Sequence, residues 1–188
     1  MSKKPEIIVF AGPNGSGKST VTKMAHVIPP YINADEIKRV TFCSDMEAAV
    51  KADELRNALV DKGESFTFET VLSTDRNLKL LERAKDKGYF IRCIYVLTND
   101  PVVNVSRVRE RAASGGHDVP VDKIVGRYYR ALGLIPRLIE VCDICHIYDN
   151  TEIPFRIFKK RKTQYFSWEN RYWNKERIFV LTNKETGK

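Results

Sequence analysis

The sequence predicts an α/β fold with a parallel β-sheet, helices on both of its faces and a small C-terminal appendage of strands. Short apolar, β-type runs alternate along the chain with longer segments of helical periodicity. Strands that alternate with helices are joined by crossover connections and therefore form a parallel sheet. After Pro154 the alternation ends and only short apolar runs follow. A length of 188 residues is that of one domain, so we expect a single domain over residues 1–188.

The predicted elements follow from periodicity and from the residues that end them. Residues 7–10 form an apolar, β-type run that ends at Gly12, and a helix over 17–25 follows. Further strands are predicted at 31–33, 65–69, 89–97 and 144–148, and further helices at 45–62, 75–87, 101–113 and 121–141. Pro136 is expected to kink the last of these helices. In the appendage, strands are expected at 155–159, 165–168 and 178–181.

The charge of the sequence is unevenly distributed. It carries 32 Lys and Arg against 24 Asp and Glu, a formal net charge of +8. Residues 151–188 hold ten basic and four acidic residues, so most of the excess lies in the predicted appendage. No apolar run reaches the roughly 20 residues that a membrane-spanning helix needs, and no secretory signal precedes the first strand. We therefore expect a cytoplasmic protein without a membrane partner, whose four cysteines are reduced.

Residues 12–19 match the pattern G-x-x-x-x-G-K-S/T at every position. The pattern follows a predicted strand and opens a predicted helix, which is the context that a phosphate-binding loop requires. The glycines let backbone N–H groups turn toward a phosphate, and the positive end of the helix dipole favours the anion. In this pattern Lys18 reaches the β- and γ-phosphates, and the hydroxyl of Ser19 is a ligand for Mg²⁺. We therefore expect binding of ATP or GTP with Mg²⁺. The expected nucleotide-binding residues are Gly12, Pro13, Asn14, Gly15, Ser16, Gly17, Lys18, Ser19 and Thr20.

Two classes of nucleotide-binding protein do not fit the rest of the sequence. Transporter-type ATPases share the local string, but they need a downstream Leu-Ser-Gly-Gly-type signature before an apolar run that ends in Asp-Glu. The nearest approach, at 114–116, leads to His117 and Asp118 instead. A switch-type GTPase needs an Asn-Lys-x-Asp motif, which the sequence lacks.

Two carboxylates stand at the ends of predicted strands. Asp35 follows the second strand, and Glu69 ends the third. Ligands of open α/β sheets bind beyond the carboxyl ends of the strands, where the phosphate loop also lies. A kinase needs a carboxylate that accepts the proton of the acceptor hydroxyl and aligns it with the γ-phosphate. We expect Asp35 to be this base, and Glu69 to hold Mg²⁺ through water or to bind the acceptor. The alternative is that each is a helix cap or a surface acid.

Arginines cluster on two predicted helices that flank a Gly-Gly pair. Arg107 and Arg111 are four residues apart and share a helix face, and Arg127 and Arg130 are neighbours on the next helix. The planar guanidinium group suits phosphate oxygens and can stabilise the charge of the γ-phosphate during transfer. We expect about residues 101–130 to form a lid that closes on the nucleotide. The alternative is a solvated basic helix that is paired with nearby acids.

Together, these residues resemble the zeta-toxin family of P-loop kinases over roughly residues 5–150. The phosphate loop alone is generic. The strings Ile-Asn-Ala-Asp-Glu at 32–36 and Phe-Glu-Thr-Val-Leu-Ser at 68–73, in this order after the loop, are more specific. The match is completed by the strings at 11–20, 107–117, 127–130 and 147–150.

The resemblance implies a P-loop kinase fold and an ATP-dependent kinase of UDP-N-acetylglucosamine that phosphorylates the 3′-hydroxyl of its sugar. It also implies a small antitoxin protein that covers the nucleotide site. The catalytic residues that it implies are Asp35 as the base, Lys18, Arg111 and Arg127, and the acceptor-binding residues are Asp35, Glu69 and Thr70. The sequence departs from the family in its shorter length, its wider arginine spacing and its basic, aromatic tail, so the acceptor could differ.

The tail leaves a second interpretation open. Its basic run at 159–162 lies beside five aromatic residues between Tyr165 and Trp173. Interleaved basic and aromatic residues are typical of nucleic-acid surfaces, but they also occur where Lys and Arg protect a sheet edge. The alternatives are therefore a kinase of nucleic-acid ends or of another metabolite, with nucleic-acid contacts only through residues 151–188, or a nucleotide-dependent binding protein without an acceptor.

Residues 142–146 match the C-x-x-C-H string of haem attachment, but the string spans a predicted helix end and a buried strand. Zinc would need two further ligands, and His26 and His117 are remote in the sequence. We therefore expect Cys142 and Cys145 to be buried structural cysteines.

Overall fold

The computed structural model describes residues 4–116 and 118–187. The described residues form seven strands and eight helices. In chain order these are β1 (Glu6–Ala11), α1 (Lys18–Thr22), β2 (Tyr31–Ile32), α2 (Ala34–Thr41), α3 (Asp45–Lys62), β3 (Phe66–Thr70), α4 (Arg76–Asp86), β4 (Phe90–Leu97), α5 (Pro101–Ala113), α6 (Val121–Gly133), α7 (Ile135–Val141), β5 (Ile144–Asp149), β6 (Phe155–Arg161), β7 (Gln164–Ser167) and α8 (Lys175–Thr182).

One mixed sheet connects all seven strands, in the order β2-β3-β1-β4-β5-β6-β7. The first five are parallel, as the alternation of strands and helices predicts. β6 and β7 pair antiparallel with β5 and with each other. The α/β prediction is therefore confirmed. The strands of the predicted appendage, β6 and β7, extend the main sheet, because β6 uses the free edge that β5 offers.

The two faces of the sheet are covered to different extents. One face, called the front face here, carries Val9, Phe68, Tyr95 and Ile147, all fully buried in the main core. Apolar residues of α3, α4, α7 and α8 belong to the same core and cover this face. On the opposite, back face, α1 lies against β1 and β4. Helices thus lie on both faces, with the thicker layer in front.

Three helical segments differ from the sequence-based expectation. The helix expected at 17–25 ends at Thr22. A helix that was not expected, α2, follows β2 because the side chain of Asn33 accepts a hydrogen bond from the backbone N–H of Asp35 and caps it. The long helix expected over 121–141 is two helices, α6 and α7, which meet at Leu134. Pro136 lies in the first turn of α7, where its missing N–H is tolerated.

The strand expected at 178–181 is wrong, because these residues belong to α8. The side chain of Asn174 caps this helix by accepting from the backbone N–H of Arg177. Ile178 and Leu181 are buried, whereas Val180 between them is 75% exposed. That three-residue spacing is helical, but a four-residue apolar run does not reveal it.

Among the described residues, no helix combines the length and the apolar character that crossing a lipid bilayer requires.

Candidate functional site

The loop after β1 lies against the backbones of two neighbouring elements. Gly12 has φ 143°, and a Cβ atom there would be 2.0 Å from the carbonyl oxygen of Val96 in β4. Gly15 has φ 75°, and its Cβ would be 2.5 Å from the carbonyl oxygen of Asn104 in α5. Both positions therefore need glycine for conformation and for space. The pattern in the sequence thus reflects the close approach of β4 and α5 to this loop.

Two buried asparagines hold the loop. The side chain of Asn104 donates to the carbonyl oxygen of Asn14 (2.5 Å) and accepts from the hydroxyl of Thr98. The side chain of Asn150, which follows β5, donates to the carbonyl oxygen of Ser16 (2.8 Å). Neither residue was predicted from the sequence to have this role. One signal was present for Asn104, which is a polar residue on the apolar face of a predicted helix.

Lys18 lies inside the loop. It is 8% exposed, and its ammonium group donates to the carbonyl oxygens of Gly12 (2.8 Å) and Pro13 (3.1 Å). Burial lowers the pKa of Lys18, the charges of Glu69 and Asp35 oppose this shift, and the charge of Arg111 adds to it. The charges of both predicted carboxylates and of one predicted arginine therefore act on Lys18.

Glu69 is the closest carboxylate to this lysine. Its Oε1 lies 4.0 Å from Nζ of Lys18, and its Oε2 accepts a hydrogen bond from the hydroxyl of Tyr31 (2.9 Å). The side-chain amide of Asn33 donates to the same hydroxyl (3.3 Å). Burial and the charge of Glu69 raise the pKa of Tyr31, so the phenol stays protonated and continues to donate. Tyr31 therefore orients Glu69, a role that was not predicted from the sequence.

Asp35 lies in the first turn of α2 and is exposed to solvent. The partial positive charge at a helix N-terminus stabilises a carboxylate there. Asp35 also raises the pKa of Lys18, so its charge acts on the loop. Asp35 and Glu69 thus approach the same lysine from the ends of neighbouring strands, as the sequence predicts.

The remaining loop and strand residues have distinct surroundings. Ser19 and Thr20 are exposed in the first turn of α1. The carbonyl oxygen of Thr70 accepts from the backbone N–H of Gly12 (3.2 Å), which connects β3 to the loop. The hydroxyl of Thr70 accepts from the side chain of Asn77 (2.8 Å) and from the backbone N–H of Leu72 (3.0 Å). The geometry therefore gives Thr70 a structural role, and acceptor binding by Thr70 stays a prediction.

Three arginines of the predicted lid lie in different environments. Arg127 in α6 reaches the loop, where its Nη1 lies 3.5 Å from Oδ1 of Asn14. The charge of Arg111 in α5 adds to the lowering of the pKa of Lys18. Arg107 points elsewhere and donates to the carbonyl oxygens of Asn150 (2.8 Å) and Thr151 (2.9 Å). It anchors the end of β5 and is not directed at the loop.

A conservative substitution tests this anchoring role of Arg107. We expect Arg107→Lys to lower the free energy of unfolding by about 1–2 kcal/mol, because an ammonium group cannot reach both carbonyl oxygens in the same planar geometry. Urea denaturation of both proteins measures the difference. Arg109→Lys, at an exposed position two residues away on α5, is the matched control and should unfold as the unchanged protein does. Equal stability of all three proteins would contradict the anchoring role.

Helices α5 and α6 also share a small apolar cluster of their own. Val108, Val119 and Ile124 form it, separate from the main core. The hydroxyl of Tyr128 donates to the carbonyl oxygen of Thr98 (2.7 Å) and holds α6 to the end of β4. Closure of this pair as a lid stays a prediction, and His117, which follows the Gly-Gly pair in the sequence, lies outside the described residues.

The cysteines of the C-x-x-C-H string are part of the packed interior. Cys142 is 1% exposed and Cys145 is fully buried, which confirms them as buried cysteines. Among residues 4–116 and 118–187, no cluster of three or more His, Cys, Asp and Glu side chains could hold a metal ion.

Comparisons with known proteins add independent findings. No protein-family model matches the sequence. A curated relative, an uncharacterized protein of Haemophilus influenzae, is 28% identical over 127 residues, which are 64% of this chain and 91% of that protein.

Solved structures resemble this chain over almost its whole length. A chain of the AvrRxo1-ORF1:AvrRxo1-ORF2 crystal structure with sulphate ions has a TM-score of 0.71 at 14% identity, covering 98% of this chain and 66% of its own length. The same system with ATP gives a TM-score of 0.72 at 13% identity. A chain of the PezAT chromosomal toxin–antitoxin system of Streptococcus pneumoniae gives 0.63 at 17% identity, covering 100% of this chain and 82% of its own. This chain spans just under two thirds of the AvrRxo1 chain. The likenesses confirm the predicted zeta-toxin-like fold of P-loop kinases.

Proposed function

We propose that the protein is an ATP-dependent kinase that transfers the γ-phosphate to a hydroxyl of a small acceptor, a nucleotide sugar such as UDP-N-acetylglucosamine. One observation carries the proposal. The ammonium group of the loop lysine, Lys18, lies 4.0 Å from the carboxylate of Glu69, and the charges of Asp35 and Arg111 act on its pKa. These three partners lie on three different elements. A phosphoryl-transfer site needs this combination of a cation at the phosphates, carboxylates at the acceptor and further cations for the developing charge.

Nucleotide binding is supported by the interior of the loop. Ser16 is fully buried, and among the described residues its hydroxyl has no hydrogen-bond partner. Buried polar atoms are rarely left unsatisfied, so this hydroxyl is suited to a ligand in the loop. Lys18 supplies a cation beside it, and α1 begins there with the positive end of its dipole. A solved neighbour of the same fold was crystallised with ATP.

The donor set also fits Mg²⁺. This ion keeps several waters and is usually held by one or two protein oxygens together with the phosphates of a nucleotide. Ser19 offers an exposed hydroxyl at the start of α1, and Glu69 offers a carboxylate that could act through water. When bound, Mg²⁺ would neutralise charge on the phosphates. Ser19 and Glu69 are the residues that we assign to it.

For the acceptor, we assign Asp35 as the base that takes the proton of the attacking hydroxyl. Its exposure leaves its oxygens accessible to a substrate. Glu69, held by Tyr31, and Thr70 would bind the acceptor beside it. A groove of about 680 Å³ between α2 and α3 begins at Tyr31 and Asn33 and is large enough for a small ligand. Arg127 and Arg111 would then stabilise the charge of the transferring phosphoryl group.

The experiment is incubation of the purified protein with ATP, Mg²⁺ and UDP-N-acetylglucosamine, followed by mass spectrometry of the sugar nucleotide. We expect a product that carries one additional phosphate on the sugar. Glu69→Gln should reduce its formation by about 10²-fold or more, because a neutral amide neither attracts Mg²⁺ nor positions the acceptor as a carboxylate does. Glu64→Gln, an exposed change just before β3, is the matched control and should leave the rate unchanged. Absence of any phosphosugar would rule out this acceptor.

We further propose that the kinase acts as a toxin and that a small antitoxin protein covers the site. Two observations support this partner. Solved neighbours of this fold belong to a toxin–antitoxin system and to a two-component complex. The surface beside the α2–α3 groove also carries exposed apolar side chains, with Phe42 93% and Met46 74% exposed, as protein interfaces do. Growth arrest on expression of this chain, relieved by a protein encoded beside it, is the expected result.

The alternatives are tested together with the main proposal. A kinase of nucleic-acid ends or of another metabolite would phosphorylate a different acceptor with the same loop. A nucleotide-dependent binding protein would bind or hydrolyse ATP without transfer. An acceptor screen that follows the γ-phosphate separates the three.

A further inference from the structure

The back face of β4–β7 brings together residues that are far apart in the sequence. Tyr148 pairs with Arg156, and His146 pairs with Lys159, which in turn pairs with Phe166. Residues that pair across strands lie on the same face of a sheet. The face therefore joins β5 and its neighbours to the C-terminal strands.

Solvent reaches this face, in contrast to the front face. On the front face of β5 and β6, Cys145, Ile147 and Phe158 are fully buried. On the back face, Arg92 is exposed, and Trp168 is 38% exposed. The positions of the helices explain this difference. Helices α3, α4, α7 and α8 lie on the front face, whereas the short helix α1 lies against β1 and β4 on the back face.

The face is strongly positive. Arg92, Arg156, Lys159 and Arg161 contribute four cations, and the carboxylate at its edge, Glu6, bonds to Arg92. Burial and the charges of Arg156, Lys159 and Arg92 lower the pKa of the histidine between them, His146, to about 4. Its Nε2 is buried and, among the described residues, has no hydrogen-bond partner. An anionic partner would relieve this repulsion between cations.

Aromatic rings lie among these cations. Phe166 and Trp168 stack with centroids 6.5 Å apart and planes 24° from parallel. The guanidinium carbon of Arg156 lies 4.5 Å from the centroid of the Trp168 ring. Tyr148 and His146 form a second ring pair at 6.4 Å. A surface of rings and cations offers stacking to bases and charge to phosphates, whereas the carboxylates of an acidic protein segment use the charge and not the rings.

We propose that this basic aromatic face, centred on Arg92, Tyr148, Arg156, Lys159, Phe166 and Trp168, binds single-stranded nucleic acid. Four strands at their usual spacing span about 14 Å, which accommodates two to four nucleotides. The surface differs from the tail-only interpretation of the sequence. It recruits Arg92 and Tyr148 from the central strands, and it does not include Trp173, which is 2% exposed, or Lys160, whose ammonium group donates to a carbonyl of α7. The binding is independent of the kinase activity.

Fluorescence anisotropy with labelled U-rich RNA and T-rich DNA of about 12 nucleotides tests the proposal. We expect binding that weakens steeply between about 50 and 200 mM salt. Lys159→Glu/Arg161→Glu should weaken it by at least about tenfold through charge, and Trp168→Ala by about tenfold through lost stacking. The matched control, Lys62→Glu/Lys175→Glu, changes the net charge equally at two exposed sites on α3 and α8 and should change affinity by less than about twofold. Unchanged ATP binding by each variant shows that the variant is folded. If the double variant does not fold, Arg161→Glu alone, at an exposed position, replaces it in the same measurement.

Three outcomes would overturn the proposal. The first is no binding at low salt. The second is equal weakening by the control, which would indicate unspecific attraction to a basic protein. The third is equal binding of duplex DNA, or equal competition by polyglutamate, because either would show that the rings are not used and would assign the face to another polyanion.

Discussion

Asp35→Asn lowers the rate of phosphoryl transfer by about 10²–10⁴-fold, because the amide has the shape of the carboxylate but cannot accept the proton of the attacking hydroxyl. ATP binding should persist within about twofold, since Asp35 is exposed in α2 and its bond to the capping side chain of Asn33 is made by its backbone N–H. Rates are measured as phosphorylated acceptor formed, and binding is measured by titration with a fluorescent ATP analogue.

Asp86→Asn provides the matched control for Asp35→Asn. Asp86 is an exposed aspartate at the end of α4, so its replacement should leave both transfer and binding unchanged. Transfer at the original rate by Asp35→Asn would show that Asp35 is not the base and would return it to the alternative role of a helix-terminal acid.

Gly12→Ala destabilises the folded protein by about 3 kcal/mol or more, since a methyl group 2.0 Å from the carbonyl oxygen of Val96 forces β1 and β4 apart. The neighbouring atom belongs to the backbone of a central strand and has no rotamer by which to move away. The φ angle of 143° adds strain for any residue with a side chain. Urea denaturation measures the loss, and we expect ATP binding to be lost as well.

The control for this substitution is Gly133→Ala at the end of α6. Nothing lies within 4 Å of the Cβ that it would gain, and its φ is not positive. We expect no loss of stability there and a gain of up to about 1 kcal/mol from helix propensity. Equal midpoints for Gly12→Ala and the unchanged protein would show that β4 can move away from the loop.

The loop and its strand could be predicted because their signals are local. The pattern at 12–19 combines a turn, a helix start and a cation within eight residues, so one stretch of sequence contains the whole predicted phosphate-binding loop. The signal for each strand and helix is also local, since it is the periodicity of apolar residues within a short stretch of sequence. Asp35 and Glu69 could be placed near the loop because the carboxyl ends of parallel strands share one edge of the sheet.

The parts that were missed depend on partners that are distant in the sequence. Asn104 contacts a carbonyl 90 residues earlier in the chain, and Asn150 one that is 134 residues earlier. Arg107 looked equivalent to Arg111 in the sequence, but its position beside the end of β5 determines its bonds. The final helix, α8, was mistaken for a strand because its apolar run is short and its burial against α7 is a tertiary effect.

The structure shows where the basic residues of β6, in the C-terminal region of excess positive charge, are located. The basic residues of the tail divide between the front and back faces as β6 alternates. Lys160 is buried in front, whereas Lys159 and Arg161 face backward beside residues of β4 and β5. The sequence-based choice between a protected edge and a nucleic-acid surface is therefore a question about one face of the sheet.

The central claim is that the γ-phosphate of ATP moves to a hydroxyl of a small molecule. Its most direct measurement is incubation of the protein with γ-labelled ATP, Mg²⁺ and an extract of small metabolites, with the label followed by chromatography and mass spectrometry. The account predicts a labelled organic phosphate that is absent with Lys18→Ala and strongly reduced with Asp35→Asn. Release of the label only as inorganic phosphate, or its retention in ATP, would contradict the account.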